Sequence, residues 1–253
     1  MSFNTTGIGE SVCSIVEKGT KVKNPPIIYL DDNEDGLNCF TEIRSSQLRN
    51  ASLEMIPNLS KERDVCFVTG KSGSGKSIFC ANYCRQYHKY FPKNNIWLFT
   101  TMDSDPAFDC LKYIKRYTLD DDFLQEEFTI NDFANTLCVF DDYDTILNDG
   151  IKKKLKGVLD MILQTGRKPH VSCLITSHLP CDGKNTKLVL YESTSITFFL
   201  RGMGEQTLTY LLKEYLGLSK EQIKKIKSLK SRAVTILKMY PQVVLAEKDL
   251  FLL

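Results

Sequence analysis

Val65-Cys66-Phe67-Val68-Thr69-Gly70-Lys71-Ser72-Gly73-Ser74-Gly75-Lys76-Ser77 is the stretch on which the fold turns. Five residues rich in β-branched and aromatic side chains predict a buried strand, and the sequence after Ser77 reads as a helix over 76–90. Between them, residues 70–77 match GxxxxGK[ST], the phosphate-binding loop. Glycines at 70, 73 and 75 let the backbone reach positive φ and approach a ligand closely, so that successive N–H groups of Lys71, Ser72, Gly73, Ser74 and Gly75 and the helix N-terminus surround a phosphate. Lys76 is then the point charge on the β- and γ-phosphates and the Ser77 hydroxyl a Mg²⁺ ligand. A plain Gly/Ser turn needs neither the lysine nor the hydroxyl at these places.

The same pattern continues outward. Strands are expected at 96–100, 136–140, 171–176 and 195–200, and helices near 106–116 and at 151–164. Strands alternating with helices predict an α/β fold with a mostly parallel sheet flanked by helices; together with the phosphate loop this resembles P-loop NTPases of the RecA or ASCE type. Two further helices are expected at 206–215 and 219–227, the second opened by Ser219 with Gln222 three residues on. Ala233–Met239 and Val243–Ala246 flank Tyr240-Pro241 and predict a C-terminal antiparallel hairpin. Residues 1–60, with Pro25-Pro26 and the acidic turn 31–36, read as an N-terminal arm with one strand at 27–30, leaving 61–253 as the ATPase domain.

The second half of a nucleotide site is Thr136-Leu137-Cys138-Val139-Phe140-Asp141-Asp142. A strand buried on both faces delivers two carboxylates at its carboxyl end, where ligands bind in open α/β sheets. Asp141 suits a Mg²⁺ ligand and Asp142 a carboxylate that polarises the attacking water. In motor-type ATPases another strand lies between such a strand and the loop strand and offers a polar sensor at its end, so resemblance to them implies a sensor strand here. The segment ending in Thr176-Ser177-His178 fits, with Ser177 taken as the catalytic polar tip and its two neighbours left open. Arg167, in Gly166-Arg167-Lys168, is the candidate for stabilising a transferring phosphoryl group, and Arg201 is a second.

Composition narrows the classes. At 253 residues with 42% hydrophobic content the chain suffices for one full core. Its apolar runs are strand-sized, so no membrane span is expected, and Met1–Gly7 lacks the pattern of a signal peptide. Nine cysteines, several inside expected strands, read as buried thiols in a reducing compartment, and the absence of CxxC pairs argues against structural zinc. With a net charge of only +2, nucleic-acid contact requires a local patch. Lys152, Lys153, Lys154 and Lys156 form one candidate; Lys220, Lys224, Lys225, Lys227, Lys230 and Arg232 form another. No NKxD guanine-recognition motif is present.

From about Val65 to the C-terminus the chain resembles the genome-packaging ATPases of large nucleocytoplasmic DNA viruses, the viral branch of the FtsK-HerA superfamily. The resemblance rests on 68–77, 95–100, 138–142, Thr165-Gly166-Arg167, 174–178 and Lys230-Ser231-Arg232. It implies an ATP- and Mg²⁺-dependent ring homo-oligomer that moves double-stranded DNA into a preformed capsid. A capsid or portal-vertex partner and a location in the host cytoplasm (the viral factory) and the virion follow from it. By position, Lys76 and Ser77 hold ATP and Mg²⁺, Asp141 holds Mg²⁺, Asp142 is the catalytic carboxylate and Arg167 a trans-acting finger. Cellular relatives usually place glutamate where this chain has Asp142, and often glutamine at the sensor position. A nucleoside or nucleotide kinase and a nucleotide-gated assembly scaffold are the competing readings.

Overall fold

The computed structural model describes residues 1–17, 19, 24–32, 39–61 and 63–253; part of the acidic turn, 33–36, lies outside them. In chain order the strands are β1 (Ser2–Asn4), β2 (Glu10–Glu17), β3 (Ile27–Asp31), β4 (Glu42–Ile43), β5 (Ala51–Met55), β6 (Val65–Thr69), β7 (Asn95–Thr100), β8 (Ile114–Thr118), β9 (Thr136–Phe140), β10 (Ser172–Ser177), β11 (Ser195–Phe199), β12 (Ala233–Leu237), β13 (Val243–Ala246) and β14 (Leu250–Leu252). The helices are α1 (Lys76–Tyr90), α2 (Pro106–Asp109), α3 (Asp149–Thr165), α4 (Lys184–Glu192), α5 (Glu205–Tyr210) and α6 (Lys220–Lys227).

Ten strands form the main sheet in the order β4-β14-β13-β12-β11-β6-β10-β9-β7-β8. From β11 to β8 all neighbours are parallel, and from β12 to β4 all are antiparallel. The expected mostly parallel sheet and C-terminal hairpin are both present, and β14 and β4 extend the hairpin. Because side chains alternate along a strand, the sheet builds two cores. On one face Cys66, Val68, Leu98, Val139 and Leu174 meet the buried side of α1, including Cys80, Tyr83, Cys84 and Tyr87. On the other, Phe67, Phe140, Ile175 and Phe198 meet α3 through Leu155, Leu159 and Ile162, and α6 through Ile223 and Ile226.

Two expectations are corrected. The helix near 106–116 is only one turn, 106–109, and residues 114–118 are the parallel edge strand β8. The described residues among the first 60 hold five strands rather than one. Four of them make a separate antiparallel sheet in the order β1-β3-β2-β5, so the strand at 27–31 joins that sheet. Gly9 makes this close packing possible: at φ +103°, an added Cβ would stand 2.1 Å from the Leu30 carbonyl oxygen. The small sheet rests on β12–β14 through Phe3, Ile28, Leu53, Leu237, Val243 and Leu250. Among the described residues no helix is long and apolar enough to cross a membrane.

Candidate nucleotide site

The loop after β6 begins where the Gly70 amide donates to the Ser177 carbonyl at 3.1 Å. Gly73 and Gly75 take φ of +72° and +113°, which side-chain-bearing residues rarely adopt. Gly70 is required for a different reason, because a Cβ there would meet Ser74 Oγ at 2.8 Å and the Phe199 ring at 3.0 Å. The loop ends on the N-terminus of the 15-residue α1, whose first turn carries no acidic residue to compete with an anion. Ser74 Oγ is buried and has no hydrogen-bond partner, so the loop presents an unspent polar group alongside its amides. This cradle fits a polyphosphate.

Strand order positions the rest. β10 lies between β6 and β9, so the expected sensor strand separates the loop strand from the Asp-Asp strand. β7 flanks β9 on its other side. The Asp141 carboxylate, emerging from β9, therefore accepts from a hydroxyl of each neighbour: Thr100 Oγ1 at 3.2 Å from β7 and Thr176 Oγ1 at 3.2 Å from β10. Asp141 is 9% exposed, and burial, with the adjacent Asp142 carboxylate second, pushes its carboxyl up to about 6. A buried acid with no cation of its own suits a Mg²⁺ ligand. Oxygen donors from Asp141 and the Ser77 hydroxyl are the chemistry that ion selects.

Asp142 adopts φ +42°, and its amide donates to Thr176 Oγ1 at 2.6 Å. Its carboxylate lies 3.2 Å from Lys76 Nζ, which also donates to the Gly70 carbonyl at 3.0 Å. His178 Nε2 stands 3.6 Å from the other carboxylate oxygen. The loop lysine, the second aspartate and the tip of the inserted strand thus converge.

Ser177, the expected polar tip, turns its hydroxyl to Asp144 at 2.9 Å and to the Leu179 carbonyl at 2.8 Å, while Thr176 and His178 reach Asp142. Asp144 holds that turn with one oxygen, which accepts from the amides of His178 at 2.9 Å and Leu179 at 3.1 Å. Asp142, Asp144 and His178 bring potential ligand atoms within 4.8 Å of one another.

Arg167 lies in the turn before β10, where Val171 bonds the Gly166 carbonyl. That is the opposite end of the sheet from the loop, about 20 Å away for a six-residue strand. Arg201 follows β11 at the loop end and borders a cavity with Lys71, Gly73, Ser74 and Arg232. Arg232, expected in a lysine-rich patch, is instead built into the phosphate loop: Nε donates to the Ser74 carbonyl at 2.8 Å and an Nη to the Gly73 carbonyl at 3.1 Å. No local pattern announces it, because it arrives from the residue before β12, 158 positions after Ser74. Thr100 was open to discovery, since it ends the strand beside Asp141. Of the first lysine cluster, Lys154 bonds the Leu124 and Glu126 carbonyls and Lys156 pairs with Asp160. In the second, Lys225 sits over the Phe251 ring and Lys227 pairs with Glu205, while Lys220, Lys224 and Lys230 are exposed.

The inserted strand, the loop and the mostly parallel sheet flanked by helices define a P-loop fold of the ASCE type. The chain is 38% identical over 187 residues to the uncharacterized protein V3 of Sputnik virophage, covering 73% of this chain and 75% of that protein, and it belongs to the same family. Among solved structures, the cytoplasmic domain of the type VII secretion ATPase EccC of Thermomonospora curvata superposes with a TM-score of 0.50 at 12% identity. That match covers 72% of this chain but only 25% of EccC. The genome-packaging NTPase B204 of Sulfolobus turreted icosahedral virus 2, in complex with ATP-gammaS, gives a TM-score of 0.47 at 17% identity over 76% of this chain and 99% of its own. No protein-family model matches the chain.

Proposed function

We propose that the chain is an ATP-hydrolysing motor that moves double-stranded DNA into a viral capsid, working as a ring of identical subunits at a capsid vertex in the host cytoplasm. The observation that carries the hydrolytic part is the Lys76–Asp142 contact of 3.2 Å, held by Thr176 from the strand inserted between the two. A lysine paired with the catalytic carboxylate has a competing partner as soon as a γ-phosphate enters the loop. Transfer of Lys76 to that phosphate releases Asp142 to orient and polarise water. Thr176 keeps the Asp142 backbone in place throughout, and His178 offers a hydrogen bond at the same point. Ser77 and Asp141 would hold a Mg²⁺ ion, which when bound would supply positive charge to offset the phosphates.

The packaging part rests on the motif resemblance between 65 and the C-terminus and on kinship with a virophage protein. Within the two lysine clusters, Lys153, Lys220, Lys224 and Lys230 are exposed and could make phosphate contacts. Steady-state ATP turnover with and without long duplex DNA is the test. Hydrolysis that rises with DNA and disappears in Lys76→Ala and Asp142→Asn is expected. ATP turnover indifferent to DNA excludes the motor, and binding without turnover leaves a nucleotide-gated scaffold.

A further inference from the structure

Two cavities meet at Phe199 and Arg232 beside the phosphate loop. One, about 340 Å³, is bordered by Lys71, Ser74, Arg201 and Arg232 and is suited to anions or water by its three cations. The other, about 360 Å³, begins at Gly75 and runs along the first turns of α1, past Ile78, Phe79 and Asn82. Its far walls are the hairpin strands β12 and β13, at Ala233 and Leu245, and β5 of the N-terminal sheet, at Ser52 and Glu54. The volume lies within the range of small-molecule sites, and the lining is mostly apolar with a few polar groups at its edges.

We infer that this second cavity takes the purine base of the nucleotide whose phosphates lie in the loop, so that β5 of the N-terminal sheet forms part of the nucleotide site. The inference rests on the nucleotide reading above and adds the base end of the ligand and the element that closes over it. Three observations support it. Gly75 belongs both to the loop and to the cavity, so a ligand anchored by its phosphates continues into the space along α1. Ile78, one residue beyond the loop, is 59% exposed and borders this space, an apolar side chain left uncovered where a ring would lie.

The third observation concerns orientation. Leu53 is buried in the core of the N-terminal sheet, so its neighbours Ser52 and Glu54 point the other way, toward α1. Glu54 accepts a hydrogen bond from Gln86 of α1 at 2.8 Å, which fixes that direction. The Leu53 amide donates to the Glu247 carbonyl at 2.8 Å, tying β5 to the loop after β13. Glu54 and Glu247 place hydrogen-bond acceptors at the cavity wall, matching the donor groups on a purine's edge, and the Arg232 guanidinium at its mouth offers a flat cation for stacking.

Calorimetric titration of the full chain with ATP, CTP and inorganic tripolyphosphate separates base from phosphate binding. ATP is expected to bind at least tenfold more tightly than CTP or tripolyphosphate. Ile78→Ala, and Ser52→Trp to fill the cavity from β5, are expected to weaken ATP about tenfold while leaving tripolyphosphate within twofold. Hydrogen exchange provides a readout free of folding defects: ATP, but not tripolyphosphate, should slow exchange over 52–55 in the unmodified chain. CTP binding as tightly as ATP, ATP affinity unmoved by both variants, or exchange over 52–55 unmoved by ATP each overturns the assignment. A chain that binds neither ATP nor tripolyphosphate removes the nucleotide reading itself, and the inference with it.

Discussion

Burial and the neighbouring Asp142 carboxylate raise the Asp141 carboxyl from 3.8 to about 6, and the sign of that shift dictates a pH dependence. The folded chain keeps a proton on Asp141 that the unfolded chain gives up, so this group's contribution to stability falls as pH rises from about 4 through about 6. The full loss, roughly 3 kcal/mol at about 1.4 kcal/mol per unit, applies above that window. In metal-free protein, Asp141→Asn should therefore gain stability relative to the parent as pH rises from 4 to 7.5, measured as the difference between urea unfolding curves. A difference that stays flat across that range contradicts the raised value. Thr176 is the companion case: Thr176→Val leaves the Asp142 amide without its 2.6 Å acceptor and should cost about 1–3 kcal/mol, with Thr176→Ser largely restoring it. The residues that make the loop and the Asp-Asp pair were legible in sequence because each sits in a fixed local pattern. Which of residues 176–178 faces the site was not, since Asp144 draws the Ser177 hydroxyl inward and only the packed turn decides that.

At the scale of elements, legibility followed the regularity of burial. β6, β9, β10 and β11 are buried at every position and read as apolar runs, and α1 was read at its observed bounds. β8 was hidden by composition. As an edge strand it tolerates Lys115 and Arg116, and Lys115 lies over the Trp97 and Tyr117 rings instead of in a core. β2 was hidden by a register shift between Ser11 and Cys13, which places consecutive residues in the interior and erases the alternation that marks a strand. Arg63 illustrates a contact that no local pattern announces. One terminal nitrogen donates to the Ile162 carbonyl and the other to the Leu163 carbonyl, each at 2.7 Å, placing a positive charge at the end of α3, whose last turn carries no basic residue of its own. Arg63→Ala should lower the unfolding free energy by about 1.5–3 kcal/mol in denaturant titrations. Arg63→Lys should recover only part, because a single ammonium does not reproduce the two-pronged fork.

At the scale of the whole molecule, the sheet puts the phosphate loop at the carboxyl ends of its parallel strands and Arg167 at their amino ends. The intervening distance, about 20 Å along β10, exceeds the reach of an arginine side chain, so Arg167 cannot serve its own loop. The ring proposed above would offer it another one, because a head-to-tail interface brings unlike ends of neighbouring subunits together. Arg167→Ala should then lower ATP turnover by 10³-fold or more, as loss of an arginine finger does, with little change in ATP affinity. Asp142→Asn should be equally inactive for a different reason. Mixing the two variants is the decisive measurement: random assembly at equal proportions places an intact Asp142 opposite an intact Arg167 at about a quarter of the interfaces, and turnover should reappear in that proportion. Recovery must also require co-assembly, vanishing when the subunits are diluted below the concentration at which the ring forms. Absence of rescue at every mixing ratio, with the ring shown to be present, would exclude the trans role and confine Arg167 to the packing of the turn before β10.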